Sequence, residues 1–229
     1  TQVGRDITEA KLEISECVCW SESGLLLCAR SVGRSRTRIY NIASSQSADI
    51  DVDVDLGGMD ATYSGSDKNI HCVIADEWGG GDIVLLDIRN GDIAPVLSGP
   101  ADQQYPALRP GGSVLAYSSR RTKGSRIRRA PYSLYLYDTD KKNEIALNRN
   151  GHHAHWSSDG KYLSFVHFES LYCLDVDANK AAVVRNANLS SSDHCWRPGT
   201  HQICYVADKS GVIAIMDVDT LGEEEWNEQ

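Results

Sequence analysis

The chain has 229 residues, 41% of them hydrophobic, with 23 Lys and Arg against 32 Asp and Glu and a formal net charge of −9. That supplies enough apolar side chain for a packed core, and no run of about 18 apolar residues offers a membrane span. An acidic chain without a visible binding module also argues against nucleic acid as the main partner.

The first predicted element is a strand at about residues 8–15, where Ala10-Lys11-Leu12-Glu13-Ile14 has the alternation of a half-buried strand. After it the chain repeats one pattern. A short strand ends on a large side chain, a turn follows, then an apolar strand, then a third strand that closes on Asp or Asn. The anchors are Trp20, Tyr63, Leu108, Trp156 and Trp196, spaced by 43, 45, 48 and 40 residues. The turns fall at residues 21–24, 64–68, 109–112, 157–160 and 197–200, and the apolar strands at 25–29, 70–75, 114–117, 162–166 and 202–207. Third strands end at Asn41, Asp87, Asp138, Asp175 and Asp217. A weaker fourth strand is predicted at 49–56, 93–97, 143–147 and 181–185, and the fifth copy has none after Asp219.

Self-similarity at this period marks units that cannot bury their own faces and must stack. The pattern predicts an all-β chain: a single five-bladed β-propeller of four-stranded antiparallel blades over residues 1–229. Its blades run at about 16–56, 57–98, 101–148, 151–186 and 190–220, and residues 221–229 form an acidic tail with four Glu and one Trp. The amino-terminal strand at 8–15 completes the last blade and closes the ring, which removes open sheet edges.

The stretch Trp156-Ser-Ser-Asp-Gly-Lys-Tyr-Leu-Ser-Phe, followed by Leu171-Tyr-Cys-Leu-Asp-Val-Asp, resembles the repeat of TolB-type, WD40-like β-propellers. Their pattern is Trp-Ser-Pro-Asp-Gly-Lys, an apolar strand, then Ile-Tyr-Val-Met-Asp. The match is close at 156–177, good at 196–219, fair at 17–41 and loose at 60–87 and 105–138. The resemblance implies a propeller blade and leaves function open. TolB itself carries a further α/β domain ahead of its blades, which this sequence lacks, so its envelope role does not transfer.

Two basic stretches break the acidic background. Arg30, Arg34, Arg36 and Arg38, with Arg120, Arg121, Lys123, Arg126, Arg128 and Arg129, hold ten of the 23 basic residues and leave 13 against 32 acidic elsewhere. Both occupy the connection between second and third strands, so they share one rim of a propeller. Arginine's planar fork suits phosphate or carboxylate, whereas a like-charged loop also serves plain solubility. The Gly-rich loop of the second blade adds Trp78 to the same rim as a contact residue, or as a ring folded back on the blade.

His152, His153 and His155 lead into the fourth anchor, and Asp193 with His194 into the fifth. Imidazoles and a carboxylate converging on the channel would take a divalent metal such as zinc or manganese, unless alternate residues point into core or solvent. The alternating Asp49, Asp51, Asp53 and Asp55 are not a calcium loop, because Leu56 stands where Gly is required and Thr62 where the bidentate Glu belongs. No nucleophile elbow, phosphate loop or dinucleotide fingerprint occurs.

Seven cysteines is an odd count, and Cys28, Cys72, Cys173 and Cys204 sit inside predicted strands, as packed free thiols of a reducing compartment do. The expected location is cytoplasmic, or periplasmic or secreted if a leader preceded Thr1. The functional expectation is a non-catalytic binding scaffold that takes a protein or anionic ligand over the arginine rim, without a cofactor. The alternative is a metal-dependent lyase or hydrolase acting on an acidic carbohydrate through the histidines.

Overall fold

The computed structural model describes residues 14–20, 26–31, 37–41, 46–50, 61–63, 69–75, 81–87, 89–120, 131–168, 170–184, 194–207 and 212–221; side-chain surroundings are described for residues 69 and 71 and from residue 81 on, save Ala207. The first sheet comprises β1 (Ile14–Trp20), β2 (Leu26–Ser31), β3 (Thr37–Asn41) and β4 (Gln46–Ile50), and the second β5 (Ala61–Tyr63), β6 (Asn69–Ala75), β7 (Gly81–Asp87) and β8 (Ile93–Leu97). The third holds β9 (Asp102–Leu108), β10 (Val114–Arg120), β11 (Ser133–Asp138) and β12 (Asn143–Asn150). The fourth holds β13 (His152–Trp156), β14 (Tyr162–His167), β15 (Ser170–Asp175) and β16 (Lys180–Val184), and the fifth β17 (His194–Trp196), β18 (Gln202–Ala207) and β19 (Val212–Asp217). Every sheet is an antiparallel meander with its strands in chain order, and no α-helix occurs among the described residues.

Each predicted copy is one sheet. Several strand ends differ from expectation by a few residues, and two differences bear on the fold. The strand expected at 49–56 is β4, Gln46–Ile50, because the hairpin from β3 sets its register, pairing Asn41 with Gln46 and Thr37 with Ile50. Alternation alone fixes which face a residue takes and not where pairing begins. At the amino terminus, Ile14 and Ser15 belong to β1 and pair into the first sheet, while residues 1–13 lie outside the described ones. Of the alternating aspartates only Asp49 falls in a described strand.

The first strands adjoin one another in succession, β1 to β5, β5 to β9, β9 to β13 and β13 to β17. Among the described residues β17 has no comparable packing back onto β1. Between the third and fourth sheets lie Ala107, Ala116, Leu134, Trp156, Leu163 and Phe165, and between the fourth and fifth Tyr162, Val166, Leu171, Cys173, Ile203 and Tyr205. Successive residues of β14 therefore serve opposite neighbours, Leu163 and Phe165 backward, Tyr162 and Val166 forward. Each large apolar side chain so buried contributes roughly 1.5–3 kcal/mol.

The anchors stitch these sheets as well as fill them. Trp156 Nε1 donates to the Ala107 carbonyl at 3.0 Å, and Trp196 Nε1 donates to the His155 carbonyl at 2.9 Å. In both cases the acceptor is the residue just before the anchor of the preceding sheet. A buried indole N–H needs such a partner. This explains why the fourth and fifth anchors are tryptophan.

Candidate functional site

Because the strands alternate in direction, the starts of first strands and the ends of second strands share one end of every sheet. This loop rim carries Arg120 at the end of β10, paired across to Asp102 at the start of β9, and His152 at the start of β13, paired to Val166. The opposite, turn rim carries the turns after each anchor.

At the loop rim β9 and β13 are both irregular at the same repeat position. The register slips between Ala116 and Ser118 on β10 opposite β9, and between His152 and His155 within β13. The residues that absorb the slip are Tyr105 and His153, three before their anchors, with φ of 57° and 51°. Bulges of this kind re-aim a side chain, and bulky residues in the left-handed region are strained. Here the two re-aimed rings meet across the junction with centroids 3.9 Å apart.

Around this contact the third and fourth sheets build a mixed aromatic and cationic floor. The Arg120 guanidinium lies 3.8 Å from the Tyr132 ring centroid. Tyr132 donates its hydroxyl to Asp102 at 3.0 Å, and Asp102 also accepts from the Gly81 amide at 3.1 Å and the Gln104 side chain at 2.8 Å. Burial first, then the Asp102 charge, push the Tyr132 hydroxyl above its ordinary pKa, so it stays a neutral donor. Tyr105 packs edge-on against Tyr132 at 5.7 Å. His152 and His153 touch through their Nδ1 atoms, 2.5 Å apart. Burial lowers both; His167 and Arg120 lower His152 further, and the neighbouring imidazoles help take His153 to about 3. Both rings are neutral at pH 7, and Arg120 carries the fixed positive charge of this floor.

The histidines singled out by the sequence fall into two separate pairs. His152 and His153 sit at the rim. His155 and His194 meet edge to face at 4.7 Å inside the junction of the fourth and fifth sheets, where His194 Nε2 lies 2.9 Å from Ser164 Oγ and Ser164 donates to the His155 carbonyl. Burial lowers His155 to about 4. The separation follows from the pleat: residues 152 and 153 precede or form the bulge, while 155 follows it and faces forward. Among the described residues no group of three or more His, Cys, Asp or Glu is arranged to hold a metal ion. Asp193 lies outside the described residues.

Arg120 is the basic residue of the second stretch whose side chain is described. Arg34, Arg36, Trp78, Arg121, Lys123, Arg126, Arg128 and Arg129 lie outside the described residues, and Arg38 is placed in β3 by its pairing with Ala29 and Asp49 alone. Sequence reasoning passed over Tyr105, Tyr132, Asp102 and Phe168. The aromatic pair carried a readable signal, since Tyr105 and His153 hold equivalent repeat places.

No protein-family model matches this sequence, and no curated relative matches it. Solved structures do resemble the fold. TolB from Acinetobacter baumannii superposes with a TM-score of 0.68 at 15% identity over 90% of this chain, which spans 52% of that protein. A putative TolB from Agrobacterium tumefaciens gives 0.71 at 18% identity, over 90% of this chain and 78% of the other. An oligogalacturonate lyase in complex with manganese gives 0.53 at 15% identity, over 82% and 53%. The sheets of this chain have the TolB-type β-propeller fold, and likeness at such identities speaks of fold alone. No helix among the described residues is long and apolar enough to cross a membrane.

Proposed function

We propose that this chain is a non-catalytic binding module that takes a protein or other anionic partner on its loop rim. The carrying observation is Arg120 stacked on Tyr132, with Tyr132 itself held by Asp102. A guanidinium stacked on a ring is pre-oriented, so it forms a bidentate contact with a carboxylate or phosphate at a smaller entropic cost than a free surface arginine. In this reading the basic residues that follow in sequence, Arg121, Lys123, Arg126, Arg128 and Arg129, extend the charge, Arg34, Arg36 and Arg38 of the first blade add to it, and Trp78 of the second is a contact residue. Binding of a fluorescein-labelled hexaglutamate peptide tests this. Replacing the six basic residues at 120–129 with Ser should abolish its salt-dependent binding, and an unchanged affinity overturns the proposal.

The proposal includes a closed five-bladed ring with the blade boundaries given above. Its support is the fifth sheet, which has three described strands where the others have four and leaves Val212, Ile213 and Ile215 58%, 69% and 64% exposed on β19. A strand from the chain ahead of Ile14 would pair with that edge. Amide exchange checks it: β19 amides should exchange faster once residues 1–13 are removed, and no change rejects closure.

A second reading is a metal-dependent lyase on an acidic carbohydrate. It draws on the manganese-bound lyase among the structural neighbours and on His152, His153, His155, Asp193 and His194. Elemental analysis of the purified chain decides it: a bound divalent metal near one per chain supports it, and its absence at that level removes it.

A further inference from the structure

Cys195 on β17 stands directly opposite Cys204 on β18, and their side chains are in hydrogen-bond contact. Opposite residues of an antiparallel pair have Cα atoms about 4.5–5.5 Å apart, inside the range of about 4.4–6.8 Å that a disulfide spans. The two cysteines are the residue before the anchor Trp196 and the one eight after it. The other sheets hold Cys19 with Cys28, Thr62 with His71, Ala107 with Ala116 and His155 with Ser164 at the same two places, each pair in register. Cysteine therefore recurs as a facing pair in the first and fifth sheets.

Packing does not account for the fifth-sheet pair. In the third sheet Ala107 and Ala116 fill these places, 8% and 0% exposed, so a methyl group suffices where the place is buried. Cys195 instead is exposed and Cys204 half-buried, beside Ile215, which pairs with Cys204 from β19 and is 64% exposed. A thiol gains little from packing there and is open to a solute. Cys173, by contrast, is fully buried between the fourth and fifth sheets, the ordinary setting of an inert cysteine.

We propose that Cys195 and Cys204 form a reversible disulfide by exchange with a low-molecular-weight disulfide such as oxidised glutathione. The Cys195 thiolate, the more accessible of the two, attacks one sulfur of the small disulfide, forming a mixed disulfide and releasing one small thiol. The Cys204 thiolate then attacks the Cys195 sulfur, closing the protein disulfide and releasing the second small thiol. Two protein thiols are oxidised and one small disulfide is reduced to two thiols, which take up the two protons through solvent. Burial first, then the neighbouring Cys204, raise the Cys195 thiol above its ordinary pKa, so the attack is slow at pH 7 and speeds up as pH rises. Cβ atoms of opposite strand residues lie about 4.5–5.5 Å apart, wider than the roughly 3.8 Å of a relaxed disulfide. The closed form therefore draws the strands together under strain, and a dithiol reductant reopens it. It ties β17, at three residues the shortest strand of its sheet, to β18.

The test incubates the reduced, folded full chain with oxidised glutathione and maps its thiols by differential alkylation and mass spectrometry. Cys195 and Cys204 should lose alkylation together, in a product lighter by two hydrogens that dithiothreitol reverses, while Cys173 stays a thiol. The rate should rise at least fivefold from pH 7 to about pH 8. In Cys204→Ser, once a thermal melt shows it folded, Cys195 should keep a glutathione adduct, because no second thiol faces it. The parent chain decides the matter even without that variant. Both thiols still open to alkylation, a lasting glutathione adduct on Cys195, or a disulfide joining two chains overturns the proposal.

Discussion

The two rims of the sheets handle the same problem, reversing the chain, in opposite ways. At the turn rim the turns after the anchors give their left-handed positions to Gly111, Gly160 and Gly199, with φ of 65°, 72° and 71°, and the turns into the fourth strands give theirs to Gly91, Lys142 and Asn179. Their polar groups satisfy one another: Ser157 donates to Asp159, the Tyr162 amide donates to Ser157, Ser158 accepts from the Gly199 amide, and His201 bridges Asp159 and Asp219. Toward the loop rim three aromatic rings, Tyr105, His153 and Phe168, take left-handed positions, besides Gly99 and Asn148. Glycine lifts strain in the turns after the anchors, whereas a bulky aromatic residue in that region is strained and persists where the surrounding structure holds it. Each rim even has its own arginine on an aromatic ring, Arg109 over Trp156 at 5.3 Å and Arg120 over Tyr132 at 3.8 Å. Arg109 closes onto Gly160 and pairs with Asp177 at 3.8 Å, inside a structure already complete.

The largest expected effect is at the turn rim. Trp156→Ala removes a buried anchor and its bond to Ala107 and should cost about 3–5 kcal/mol in urea melts. A loss under about 1 kcal/mol would mean the anchors do not hold the sheets together. Gly160→Ala should cost about 1–2 kcal/mol, since φ is +72° and the added carbon would come within 2.8 Å of Arg109.

Acid should separate the rims by sign. His153 and His155 have folded pKa values lowered to about 3 and 4, chiefly by burial, so the unfolded chain binds more protons between about pH 6.5 and 4 and stability falls as pH falls through that window. His201 is shifted the other way, raised first by the hydrogen bond it donates to Asp159 and further by the one to Asp219, against a burial effect smaller than the Asp159 bond. Its contribution is fully present below about pH 6.5 and is lost as pH rises through its raised folded value. In Asp159 burial works upward, but hydrogen bonds with Ser157 and His201 outweigh it and hold the carboxyl well below the usual range, so that contribution is lost only in stronger acid. Melting temperature against pH should therefore fall below pH 6 in the parent chain. His155→Gln should flatten that fall, whereas His201→Gln should leave it in place and instead remove the loss of stability on raising the pH above about 6.5. The smallest effect is the reverse of the first: Phe168→Asn should stabilise by about 1 kcal/mol, by moving a left-handed position to a residue that tolerates it.

Most of the fold was legible because period-two alternation and turn chemistry recur five times, and each copy reinforces the others. Trp156, Gly160 and Asp175 alone are enough to place a sheet. Strand starts were less so, as β4 shows, because pairing register depends on the hairpin before it. The site was legible only in its charge. Arg120 stands out in the sequence, while Tyr105, Tyr132 and Phe168 look like ordinary strand and hairpin aromatics until a bulge and a left-handed tip turn them to the rim. The four histidines read as one cluster because sequence spacing cannot show a bulge between residues 152 and 155, which sends them to different places.

The most direct test sets the two stacked arginines against each other. Binding of labelled hexaglutamate is measured for Arg120→Ser and Arg109→Ser at equal ionic strength, each variant first shown to melt as a folded protein. The account predicts that Arg120→Ser weakens binding at least fivefold while Arg109→Ser stays within about twofold of the parent. Equal losses, or a loss confined to Arg109→Ser, would contradict it.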